Sequence, residues 1–141
     1  MAEPLDLTKT LEKSVRDEEE SRLFYEALAQ RAERPETRAL AESLAEEEAG
    51  HREALLRQFE GRINRERTLA NLAPRAIASS ATPRELLLWA LDKERDSEVR
   101  YKFLAEQFGG TPHWVLFLQL SEGEREHKNR IQGELDRLPA V

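Results

Sequence analysis

The sequence predicts an all-α protein, a four-helix bundle made of two antiparallel hairpins. Three observations carry this. Ala, Leu, Glu and Arg dominate 141 residues of which 35% are charged, a composition that favours helix. Leucines recur at helical spacing over four long stretches. Breakers fall between those stretches, at Arg34-Pro35, Gly61 and Gly109-Gly110.

The first helix is expected from Leu7 to about Glu33, with Asp6 as N-cap and Leu11, Val15, Leu23 and Leu28 near one face. The second begins near Glu36 and carries Leu40, Leu44, Leu55 and Phe59. Gly61 ends it, and NRERTLANL continues either frayed or as a separate helix. The third opens with Thr82 as N-cap, Pro83 at N1 and Glu85 at N3, a capping box with proline in its preferred place. It stops at Gly109-Gly110. The fourth is expected from Thr111-Pro112 to about Leu138, before Pro139. Two short turns make two hairpins, residues 7–60 and 82–138. The connection 61–81 is long enough to cross the length of a bundle, so residues 1–141 read as one domain.

Composition bounds the function. The formal net charge is −6 with no basic run, so nucleic acid is not an expected partner. The chain has no cysteine. That excludes disulfides, thiolate zinc, iron–sulfur clusters, a thiol nucleophile and a rubredoxin-type iron centre within it. MAEPLDLTKT lacks the pattern of a signal peptide, and LLLWAL is too short to cross a bilayer. A soluble cytoplasmic protein with no membrane partner is expected.

The chain resembles itself at a shift of 76 residues. DEEESRLFYEALA, from Asp17, lies over KERDSEVRYKFLA, from Lys93, and LAEEEAGH, from Leu44, over LSEGEREH, from Leu120. Shared composition accounts for matched leucines and alanines. It does not account for both tyrosines and two of three histidines falling in register, as Tyr25/Tyr101 and His51/His127. The period is that of a duplicated helical hairpin.

The polar matches have a geometry. Glu48 and His51 are i, i+3 on one helix face, as are Glu124 and His127. Glu18 precedes Tyr25 by two helical turns and stands on the apolar stripe, where leucine is expected. Glu94 repeats this before Tyr101. Four Glu and two His are thus expected at one level of the bundle. Buried without compensation, each carboxylate costs several kcal/mol or takes up a proton. Two divalent cations balance four carboxylates, and each His caps one ion. One Glu from each of two helices, with Glu-x-x-His from each of the other two, is the constellation of ferritin-like di-iron carboxylate bundles.

On these residues the chain resembles a rubrerythrin-type, ferritin-like di-iron protein from about Leu11 to Leu138. The resemblance implies that Glu18, Glu48, His51, Glu94, Glu124 and His127 ligate two iron ions, with Glu48 and Glu124 as bridges. It implies that Tyr25 and Tyr101 donate hydrogen bonds to ligand carboxylates. Mixed N/O ligation also suits Mn and Zn, so iron rests on the resemblance. The implied activity is reduction of hydrogen peroxide, or oxygen, to water in defence against oxidative stress. With no cysteine in the chain, the electrons must come from a separate donor such as a rubredoxin-like protein. Rubrerythrins tend to carry a further ligand Glu one turn after the one on the third helix. Here Ser97 stands three after Glu94 and Glu98 four after, so Glu98 joins the ligands only if a π-bulge widens the helix. A ferroxidase or iron-storage role with the same ligands, and a metal-free hydrogen-bonded bundle, are the alternatives.

The remaining polar residues have simpler readings. Glu19, Glu20, Glu46, Glu47 and Glu122 read as solvated surface, Asp92 and Asp96 as rotated outward, and His113 as an exposed or capping residue. ELLLWALDK and HWVLFLQL are apolar around more than one bundle face. Trp89, Trp114, Phe117 and Leu118 therefore pack within the monomer or at a subunit interface. A homodimer is favoured, and the long connection leaves exchange of hairpins between chains open.

Overall fold

The computed structural model describes residues 7–73 and 77–139. Among them it is all helical: α1 (Leu7–Arg31), α2 (Pro35–Gln58), a short α3 (Arg65–Leu69), α4 (Pro83–Gln107) and α5 (Trp114–Arg137). The four long helices fall within two or three residues of the expected bounds, and the architecture is that of a ferritin-like helical bundle with helices packed in pairs. The expected N-cap Asp6 lies outside the described residues. Among the described residues, no helix is long and apolar enough to cross a membrane.

The chain forms two compact units. The first holds α1 as far as Gln30 together with the chain from Ala41 through α3. Its buried apolar residues include Leu11, Val15, Phe24, Tyr25 and Leu28 of α1, Ala41, Leu44, Leu55 and Leu56 of α2, and Phe59 and Ile63 beyond it. Leu23 and Leu40, expected on the apolar stripes, are only half-buried, and their neighbours Phe24 and Ala41 take the buried positions. NRERTLANL yields a separate helix because Asn64 caps α3: its side chain accepts from Arg67 N at 2.8 Å. The α3 carbonyl of Thr68 is in turn taken by Arg16 of α1 at 2.9 Å.

The second unit holds Arg31–Leu40 and the chain from Ile77 onward, and within it α4 packs against α5. Thr82 caps α4 as the sequence requires, its hydroxyl accepting from Glu85 N at 3.1 Å. The fourth helix starts later than expected. Gly110 takes φ +82°, and the Thr111 hydroxyl donates to Phe108 O at 2.7 Å and accepts from His113 N at 3.2 Å. Thr111 therefore closes the turn after α4, and α5 begins at Trp114. Phe117 is core: it stacks between Tyr101, at 6.3 Å between centroids, and Phe108, at 5.2 Å. Burying such a ring contributes about 1.5–3 kcal/mol. His113 meets the edge of Phe108 at 5.6 Å. Leu88, Val99 and Phe103 of α4 and Trp114, Val115 and Leu118 of α5 remain exposed.

The turn between α1 and α2 is held by a buried carboxylate that the sequence reading did not pick out. Glu134 of α5 accepts from Arg34 Nε at 2.9 Å and from the Thr37 hydroxyl. The ion pair and hydrogen bond offset the cost of burying that charge.

Candidate metal centre

Each unit carries one half-site, built from one helix that supplies a lone Glu and one that supplies Glu-x-x-His. In the first, α1 presents Glu18 and α2 presents Glu48 and His51. His51 Nδ1 lies 3.3 Å from Glu48 Oε1 and 3.6 Å from Glu18 Oε2. In the second, α4 presents Glu94 and α5 presents Glu124 and His127. His127 Nδ1 lies 3.5 Å from Glu94 Oε1 and 3.5 Å from Glu124 Oε1. The four carboxylates are buried, Glu124 completely.

These spacings test the fit to a cation. A charge-assisted N–H···O bond draws its atoms to about 2.7–2.9 Å. Two ligands held at about 2.1 Å from one ion, at angles of roughly 100–120°, stand about 3.2–3.6 Å apart. All four imidazole–carboxylate distances fall in the second range. In both halves it is Nδ1 that faces the carboxylates. Carboxylate oxygen with imidazole nitrogen is a donor set for Fe, Mn or Zn. The Glu and His residues of each half therefore fit divalent metal. Glu18 and Glu94 approach the same histidines from the lone-Glu helices.

A second duplicated feature surrounds the half-sites. The residue after each histidine is a cation, Arg52 or Lys128, matched at the 76-residue shift. Each reaches back to the helix carrying the lone Glu. Arg52 pairs with Glu19 of α1, which also takes Arg22 Nε at 2.8 Å. Lys128 pairs with Glu98 of α4, which also takes Lys102 at 3.2 Å. These pairs tie the two ligand-bearing helices of each half together next to the ligands. Glu19 is thus no free surface carboxylate: Arg22, aided by Arg52, holds it below the usual carboxylate range. Lys128, aided by Lys102, does the same to Glu98. The signal in the sequence was the matched cation after each histidine, whose partners stand on other helices.

Glu98 consequently has a different occupation from the one a π-bulge would give it. α4 is α-helical from Pro83 to Gln107, with Glu98 buried inside it, so the bulge that a ligand role for Glu98 would need is not formed there, and the carboxylate pairs with two ammonium groups. Asp92 and Asp96 point outward as expected. Tyr25 and Tyr101 are buried beside their half-sites in sequence, Tyr25 edge-on to Phe24 at 5.5 Å and Tyr101 stacked on Phe117.

A family model described as Rubrerythrin matches residues 9–80, just over half of the chain. That span contains the whole first half-site, and the internal repeat extends the pattern to the second. No curated protein and no solved structure matches the chain.

Proposed function

Because the chain belongs to the rubrerythrin family, we propose that it is a non-haem di-iron oxidoreductase that reduces hydrogen peroxide, or oxygen, to water. The observation that supports this best is the doubled half-site, in which each Nδ1 stands 3.3–3.6 Å from two buried carboxylates. As the family implies, Glu18, Glu48 and His51 would hold one iron ion and Glu94, Glu124 and His127 the other. Ferrous iron bound there supplies the two electrons that, with two protons, convert one hydrogen peroxide into two waters.

The protein's own part is positional. Four carboxylates neutralise two divalent cations in a site where an unpaired charge is costly. Tyr25 and Tyr101 donate to ligand carboxylates and hold their orientation. Arg52 and Lys128 keep the ligand-bearing helices in register. A separate electron-donor protein restores the reduced state, and a second copy of the chain covers the exposed apolar residues of α4 and α5.

Anaerobic loading with Fe(II), followed by stopped-flow mixing with peroxide or oxygen, tests this reading. Two irons per chain and a ferric absorption band that rises faster than free Fe(II) oxidises are expected. If neither oxidant produces that band, the enzyme reading is wrong. Preference for oxygen with retention of mineralised iron would instead identify a ferroxidase.

A further inference from the structure

The two half-sites are duplicated in sequence but differ in one respect. The lone glutamates are equally buried, as are the glutamates of the Glu-x-x-His pairs. The histidines are not. The His51 side chain is 18% exposed, whereas that of His127 is 1% exposed. We propose that the metal positions exchange at different rates: the ion on Glu18, Glu48 and His51 enters and leaves through solvent, and the ion on Glu94, Glu124 and His127 is retained. This rests on the metal-binding reading above and concerns the part each half plays in loading and repair of the centre.

The rate of exchange is set by the ligand that is released first. A bound ion leaves stepwise, each protein ligand being replaced by water or a chelator. A carboxylate that lets go while buried remains a costly unpaired charge, so release starts at the ligand that can be hydrated. The His51 ring already borders water and can swing out and be hydrated. The His127 ring has no such exit. It lies on the buried stripe of α5, with Leu120, Glu124, Ile131 and Leu135 also buried on that helix. Ile131, one turn on, is completely buried. Freeing His127 requires local opening of the α4–α5 pair, which is rarer than rotation of a side chain at the surface. His51 is therefore the gate of the exchangeable position.

The test uses Co(II) as the probe. Apoprotein is loaded anaerobically, the bound metal is counted after desalting, and excess EDTA is added while the Co(II) ligand-field bands are followed. Two ions per chain are expected, leaving in two phases of equal amplitude with rates at least tenfold apart. His51→Ala is expected to lose the fast phase and keep one slowly released ion. His127→Ala, checked for folding by circular dichroism, is expected to lose the slow phase. A single phase releasing both ions overturns the proposal in the unaltered protein, with no variant needed. So does a fast phase that survives His51→Ala. Loading of fewer than two ions overturns the dinuclear reading itself and is measured before any release begins.

Discussion

Single side chains carry most of the chemistry here, and the clearest are glutamates at positions that packing alone would give to leucine. Glu18, Glu48, Glu94 and Glu124 are buried carboxylates, and on the proposed function the cost of ionising them there would fall with bound cations. Metal should therefore stabilise the fold. At a free concentration of a hundred times Kd the added stability is about 2.7 kcal/mol, roughly 8 °C in Tm for a chain of this length. Differential scanning calorimetry with and without Zn(II) checks this; EDTA should reverse the shift, and Glu48→Gln with Glu124→Gln should shrink it. A second residue-level expectation concerns pH. Lys128 and Lys102 depress the folded-state pKa of Glu98. The stability this contributes is fully present above the unfolded value, about 4.3, and is lost as pH falls through the lowered folded value. Glu98→Gln should cost about 1–2 kcal/mol at pH 7 and flatten the fall in Tm between about pH 5 and pH 3. A parallel fall in both proteins would show that the pair contributes nothing.

Among the elements, the helix ends show how local chemistry sets boundaries. Thr82 caps α4 through Glu85 N, so Thr82→Ala should lower stability by about 1 kcal/mol, roughly 3 °C in Tm, without altering metal content. Thermal unfolding followed by circular dichroism reads both the shift and the retained helicity. The same residue type does a different job at Thr111, where the Thr-Pro pattern predicts a helix start. Glycine at 110 lets the chain turn with positive φ, and Thr111 then satisfies Phe108 O instead of capping α5. The α1–α2 turn is held by Glu134 from a distant part of the sequence, and no local pattern marks that contact.

At the scale of the whole molecule, six large apolar side chains on α4 and α5 remain exposed. A homodimer that covers them predicts twice the monomer mass by light scattering. Val99→Glu combined with Leu118→Glu should yield a monomer that keeps its helicity. A monomeric unaltered protein would exclude that arrangement. Phe117, weighed beside Trp114 and Leu118 for such an interface, belongs instead to the α5 core between Tyr101 and Phe108.

The helices, their packing in pairs and the duplicated Glu and His positions were legible in the chain because each follows from a local or repeated signal. Helical periodicity places Leu11, Leu44, Leu87 and Leu120 inward, and the 76-residue repeat turns two weak Glu-x-x-His motifs into one specific pattern. Those signals are short-range or self-referential, so no coordinates are needed to read them. Packing alone decided which charge faces which. Glu19 and Glu98 find their partners Arg52 and Lys128 on neighbouring helices. Glu134 reaches back to Arg34 across 100 residues of sequence. Packing also made His51 and His127 unequal, since equivalent positions in a duplicated sequence meet different surroundings once the helices are assembled. Burial is a property of neighbours brought together by the fold, and a residue's place in a motif does not specify them.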